Sequence, residues 1–178
     1  MPNSDNSTQK SIVLIGLMGA GKTTIGRKLA EKMNLPFIDS DDEVVTAAGC
    51  SIEDIFELYG ETAFRDVETR VISRIMEEGP SVVATGGGAF MNDRTRDAVK
   101  AGGTSVWLKA DLDILVARTS GRTDRPLLKD LDPRQKLQEL MDQRYPVYAE
   151  ADIAIETGNE SADATVARVF DALKGKTA

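Results

Sequence analysis

The stretch SIVLIGLMGAGKT, residues 11–23, decides the architecture. An apolar run of strand length, SIVLI, passes directly into a segment with three glycines that ends in a lysine and a threonine. Gly16, Gly21, Lys22 and Thr23 satisfy the spacing G-x-x-x-x-G-K-[ST], and a helical stripe of Ile25, Leu29 and Met33 follows at once. In such a loop the backbone N–H groups turn inward around phosphate oxygens, and the helix aims its positive end at the same point. Lys22 adds a point charge on the β- and γ-phosphates, and Thr23 offers a hydroxyl to a magnesium ion. A plain connecting turn needs neither group. The loop is read as a nucleoside triphosphate site.

Four more runs of strand length follow: LPFID (35–39), SVVAT (81–85), TSVWL (104–108) and DIAIE (152–156). Continuous apolar runs imply strands covered on both faces. Helical stripes alternate with them, as in Phe64, Val67, Val71 and Ile75, or Val166, Val169, Phe170 and Leu173. Strands alternating with helices predict a mostly parallel sheet in a three-layer α/β/α sandwich. Residues 40–80 are helical in pattern throughout, too long for one crossover, and read as an inserted helical region. Residues 119–134 are polar and charged and read as a lid over a cleft. Residues 1–10 form a polar tail, and residues 11–178 a single domain.

Composition narrows the partners. The chain has 178 residues, a net charge of −7 and no stripe of basic residues, which argues against nucleic acid. It has one cysteine, Cys50, and no histidine, so histidine triads and the usual zinc sites are excluded. A lone cysteine fits a reducing compartment, and no apolar run has the length of a membrane span. The expected setting is cytoplasmic, with no membrane partner.

Among phosphate-loop proteins, the guanine-reading N-K-x-D motif is absent. The apolar run SVVAT ends in Thr85 and Gly86-Gly87-Gly88 rather than in an acidic residue. That leaves the small-molecule kinases, which need an acceptor pocket and a lid. Asp39 and Asp41 follow the second strand at its carboxyl end, where open α/β sheets bind ligands. One carboxylate suits magnesium, the other an acceptor hydroxyl and its proton. The same SDDE stretch is also a capping box, Ser40 to Glu43. Gly86, Gly87 and Gly88 permit close approach of a ligand or form only a tight turn. Arg65 has Glu61 and Glu68 at helical spacing, so on these residues alone surface pairing is the favoured explanation. Arg144 shares a helix face with Leu137, Leu140 and Met141, a position where a guanidinium needs a partner, and Pro146 is expected to end or kink that helix. Arg118, Arg122 and Arg125 flank the lid, and Arg125 is the first choice for an arginine that closes on the γ-phosphate.

Taken together, GLMGAGKTTIGRKLA, FIDSDDEV, GETAFRDVE, ATGGG, RTDRPLL and RYPVY resemble the shikimate kinase family over residues 11–155. The resemblance implies a nucleoside-monophosphate-kinase type of fold, with a five-stranded parallel sheet in the order 2-3-1-4-5. It implies ATP-dependent phosphorylation of the 3-hydroxyl of shikimate, toward chorismate and the aromatic amino acids, by a Mg2+-dependent monomer. By the same resemblance Gly19, Ala20, Gly21, Lys22, Thr23 and Thr24 hold ATP, and Thr23 and Asp39 stand near Mg2+. Asp41 grips the shikimate hydroxyls and is the candidate base. Arg65 and Arg144 bind the shikimate carboxylate beside Gly86, Gly87 and Gly88. Arg118 packs on adenine, and Arg125 is the lid arginine. Where some relatives carry an arginine after the fifth strand, this chain reads ETGNESAD, so backbone contacts to adenine are expected there. A gluconate kinase of the same fold is the nearest rival. A nucleotide-binding switch without transfer is the rival from another class.

Overall fold

The structure, a computed structural model, describes residues 9–120 and 132–177. Five parallel strands form one sheet among the described residues: β1 (Ser11–Ile15), β2 (Phe37–Asp39), β3 (Val82–Ala84), β4 (Gly103–Ala110) and β5 (Ile153–Thr157). Their order is β2-β3-β1-β4-β5, as expected. The most apolar run takes the centre. All of β1 is buried, with Val13 opposite Val83 of β3 on one side and Ser105 of β4 on the other. Each fully buried side chain of this kind contributes roughly 1.5–3 kcal/mol.

Helices α1 (Lys22–Met33), α2 (Ser40–Ala48), α3 (Ile52–Glu77), α4 (Asp93–Gly102), α5 (Leu112–Thr119), α6 (Pro133–Tyr148) and α7 (Ala162–Thr177) flank the sheet. Their placement follows from strand periodicity. Successive strand residues point to opposite faces. A methyl group added at Gly26 of α1 would meet Leu14 and Phe37, which puts α1 on the Leu14 face. One added at Gly103 would meet Val13 and Met76 of α3, which puts α3 on the opposite face. The sheet is therefore covered from both sides. β5 departs from the expectation of two covered faces: Ile153, Ile155 and Thr157 are buried while Ala154 and Glu156 are exposed. It is an edge strand with one face packed, and strict alternation is its signature.

Residues 40–80 are helical, as the pattern predicts, but in pieces. α2 ends at Gly49, and α3 is broken at Gly60, whose backbone (φ 85°, ψ 172°) is not helical. A small second core of Val44, Ile55, Phe64, Val71, Ile75 and Val83 ties these helices to the sheet. Pro146 neither ends nor delimits α6, which continues to Tyr148. Among the described residues no helix is long and apolar enough to cross a membrane.

The order of strands places the chemistry. β2, β3 and β1 are neighbours and parallel, so their carboxyl ends lie side by side. Three separate segments thereby converge: the glycine loop after β1, the aspartates after β2 and the glycines after β3. The chain direction across the sheet reverses at β1, where ligands of such folds bind.

Candidate active site

The glycine loop is built for an anion by what it leaves undone. Gly21 caps α1 in a left-handed conformation (φ 97°), and no side chain satisfies the first N–H groups of the helix. Those donors remain available to a ligand. Lys22 Nζ donates to the carbonyls of Gly16 and Leu17, the latter at 3.1 Å, which brings its charge over the loop. Thr23 and Thr24 are exposed at the helix start.

Asp39 performs the capping that the sequence assigned to Ser40. Its Oδ1 accepts from the backbone N–H of Asp41 at 2.9 Å and of Asp42 at 3.4 Å. Ser40 is fully buried and its Oγ has no partner, while Glu43 pairs with Arg74 at 2.7 Å. The Ser40–Glu43 capping box is thus not formed; the aspartate one residue earlier reaches the free N–H groups first. Only Oδ1 of Asp39 is used, and its second oxygen has no hydrogen bond among the described residues. Asp41, by contrast, leans toward β3. A methyl group at Gly86 would lie 2.9 Å from Asp41 Oδ1 and 3.3 Å from Glu68 Oε2. Burial pushes the Asp41 carboxyl above its ordinary range, Asp39 adds to the effect, and Lys22 opposes it.

Arg65 follows the Gly60 break on α3. It bonds Glu68 at 2.9 Å and approaches Glu61 at 3.8 Å, so both expected pairings exist. They are unequal: Glu61 is exposed, whereas Glu68 is 1% exposed. Burial pushes the Glu68 carboxyl up against the pull of Arg65. A surface ion pair does not account for this arrangement, because a buried carboxylate fixes the guanidinium in place. A methyl group at Gly88 would overlap the Arg65 guanidinium, so the guanidinium packs directly on this glycine and a side chain there would displace it. Arg144 comes from a separate element, α6. On α6, Leu137 and Leu140 are buried and Arg144 is half-buried at the end of their stripe. Its Nη1 lies 2.9 Å from where a methyl group at Gly87 would be.

At the far end of the loop, Arg118 of α5 donates to the carbonyls of Gly19 (3.1 Å), Ala20 (3.4 Å) and Gly158 (2.8 Å). It ties the glycine loop to the segment after β5. That segment is held by Glu160, which accepts from Gly158 N–H (3.0 Å), the Thr165 hydroxyl (3.3 Å) and Arg168 (3.0 Å). Arg122 and Arg125 lie outside the described residues, as does most of the expected lid.

One cleft of about 1190 Å³ gathers the main groups. It holds the glycine loop, Asp39, Asp41, Arg65, Gly86, Gly87, Gly88, Arg118 and Arg144 together. The volume exceeds the usual 300–1,000 Å³ or so of a single small-molecule pocket, which suits two ligands end to end. The sequence reading missed several lining groups. Phe56 and Phe64 form an apolar wall beside Arg65, their ring centroids 4.8 Å apart. The ETGNESAD stretch expected near adenine supplies Thr157, Glu160 and Ala162, which with Thr165 line the end near Arg118.

Residues 18–174 match the model of the family described as SKI: Shikimate kinase. The chain belongs to the shikimate kinase family. The shikimate kinase of Paramagnetospirillum magneticum (strain ATCC 700264 / AMB-1) is 54% identical over 164 residues, 92% of this chain and 84% of that protein. That of Mesorhizobium japonicum (strain LMG 29417 / CECT 9101 / MAFF 303099) is 52% identical over 92% of this chain and 81% of its own length. Among solved structures, shikimate kinase from Acinetobacter baumannii in complex with shikimate is similar with a TM-score of 0.89 and 38% identity, covering 95% of each chain. A gluconokinase from Sinorhizobium meliloti 1021 shares the fold alone, with 20% identity and a TM-score of 0.57 over 96% of this chain and 99% of that one.

Proposed function

We propose that the chain transfers the γ-phosphoryl group of ATP to the 3-hydroxyl of shikimate, giving shikimate 3-phosphate and ADP. The observation that carries this reading is the convergence of Asp41, Arg65, Arg144 and the glycines after β3 beside a phosphate loop in one cleft. Two guanidiniums delivered from separate helices, α3 and α6, suit a carboxylate, which accepts the arginine fork in a bidentate manner. The close approach of Arg65 and Arg144 to Gly88 and Gly87 favours a flat ring lying against the glycine turn. The family and its shikimate-bound relative point the same way.

In this reading ATP lies along Gly19, Ala20, Gly21, Lys22, Thr23 and Thr24, with its base toward Arg118. Lys22 neutralises charge on the β- and γ-phosphates. Asp41 accepts the proton of the 3-hydroxyl as the new O–P bond forms and the bond from γ-phosphorus to the ADP oxygen breaks. Its raised affinity for a proton suits that task. Arg65 and Arg144 hold the ring so that only this hydroxyl faces the phosphorus, and positioning of this kind supplies much of the rate. The Thr23 hydroxyl and the unused oxygen of Asp39 are hard oxygen donors, which fits Mg2+. When bound, the metal would offset the charge of the phosphate chain. Arg125 is assigned to the closing lid by resemblance. We take the enzyme to be a cytoplasmic monomer in the route to chorismate and the aromatic amino acids.

A coupled ADP-release assay with Mg2+ tests the reading. Shikimate-dependent release, absent with gluconate, is expected. Release with gluconate alone would assign the other kinase, and ATP binding without turnover on either acid would assign a switch.

A further inference from the structure

Tyr148 is among the largest fully buried side chains of the protein, yet it carries a hydroxyl. That hydroxyl meets the glycine turn that lines the acceptor pocket. It donates to the carbonyl of Gly87, and it borders that glycine together with Arg144: the phenol oxygen lies 4.0 Å, and Arg144 Nη1 2.9 Å, from where a methyl group at Gly87 would be. A phenol has one proton to give, and the carbonyl takes it; the phenol oxygen keeps a lone pair for the neighbouring guanidinium. The ring itself is fixed from two sides, by Trp107 with centroids 5.9 Å apart and by Tyr145 at 6.1 Å. Tyr145 is anchored elsewhere, its hydroxyl donating to Ala110 at 2.6 Å.

We infer that Tyr148 is a positioning residue for the acceptor, a buried peg whose single oxygen sets both the glycine turn and the guanidinium of Arg144. The need for such a peg is physical. Three successive glycines have no side chains to hold them and the largest conformational freedom of any residues. Arginine carries many rotamers, and each hydrogen bond that prearranges it reduces the ordering left to occur when ligand binds. Arg65 has its own buried anchor in Glu68. For Arg144, Tyr148 fills the corresponding role, from a neutral group that leaves the charge available to the ligand.

The inference rests on shikimate being the acceptor, and its test separates the two claims. Shikimate-dependent turnover by the parent protein secures the acceptor before any variant is measured. Tyr148→Phe keeps the ring and removes the peg. It is expected to raise KM for shikimate about 5–20-fold, with kcat within about threefold and KM for ATP within about twofold. In an Arg144→Lys background the same change should add much less than it does alone, since both act through one contact. Tyr145→Phe, from the same aromatic cluster, should leave KM for shikimate unchanged. Equal losses for both substrates, full additivity with Arg144→Lys, or an equal effect of Tyr145→Phe would overturn the inference. A measurement that does not depend on the variant folding is 19F NMR of 3-fluorotyrosine-labelled parent protein. The chain has three tyrosines, so three resonances are expected. That of Tyr148 should shift on saturation with shikimate; a resonance that stays in place would overturn the inference as well.

Discussion

The two halves of the cleft are made in different ways. The nucleotide half is mostly backbone: a start of α1 with no side-chain cap among the described residues, loop carbonyls, and one lysine laid over them. The acceptor half is mostly side chains: Asp41, Arg65 and Arg144, each reaching in from a different element, with Arg65 steadied by the buried Glu68. A backbone cradle suits a phosphate chain that every relative of this fold shares. Side chains suit the part of the reaction that distinguishes one kinase from another. Losses in the first half should therefore strike the transfer itself, and losses in the second, apart from the proton acceptor Asp41, should strike recognition of the acceptor.

The largest expected effect belongs to the first half. Lys22→Met should lower turnover by about 10³-fold, as loss of a preorganised charge at a phosphoryl group does. Retention of more than a tenth of the activity would break the comparison. Asp41→Asn should cost about 10²-fold or more in kcat if Asp41 takes the proton. Its pH behaviour sharpens the point. A base acts when ionised, and the Asp41 carboxyl is held above the usual range by burial and by Asp39. Parent kcat/KM should thus fall as pH drops through a value above that of an ordinary aspartate. Stability runs in the opposite direction. A carboxyl with a raised folded-state pKa binds its proton more tightly folded than unfolded, so its ionisation above that pKa opposes folding. Asp41→Asn should consequently melt no lower than the parent at neutral pH, by calorimetry without ligands.

Arg65→Ala and Arg144→Ala come next. Each should weaken shikimate binding roughly 10–100-fold, the range for a lost charged hydrogen bond pair, with ADP affinity within about twofold. Arg65→Ala carries a second cost, since it leaves the Glu68 carboxylate buried without its partner. Equal losses for both ligands in titration calorimetry would erase the distinction between the halves. The smallest effect is expected from Glu160→Gln. This exposed group organises the loop after β5 through Gly158, Thr165 and Arg168. Exposed ion pairs contribute little, so KM for ATP should rise about twofold and KM for shikimate should not move.

The same division explains what could be read in the amino-acid sequence. The phosphate loop is contiguous, and its strand, glycines, lysine and helix stripe identify it without any distant contact. The strands were legible because parallel central strands are apolar runs, and their neighbours' order came with the family resemblance. The acceptor half is assembled from residues 41, 65, 86–88 and 144, so no local pattern contains it. Arg65 beside Glu61 and Glu68 reads as surface pairing until burial shows that Glu68 is interior. Ser40 reads as a cap because it precedes a helix with Glu43 three residues on. Asp39, one residue earlier, has the same chemistry and better reach. Pro146 reads as a place where the helix ends or kinks; α6 does not end there, and the residues beyond it deliver Tyr148 to Gly87.

A crystal structure with ADP, Mg2+ and shikimate bound together tests the central claim most directly. The account predicts the shikimate carboxylate within hydrogen-bond distance of Arg65 and Arg144, its ring against Gly86–Gly88, and its 3-hydroxyl between Asp41 and the end of the phosphate chain. A ring bound away from both arginines, with nucleotide in the glycine loop, would contradict it.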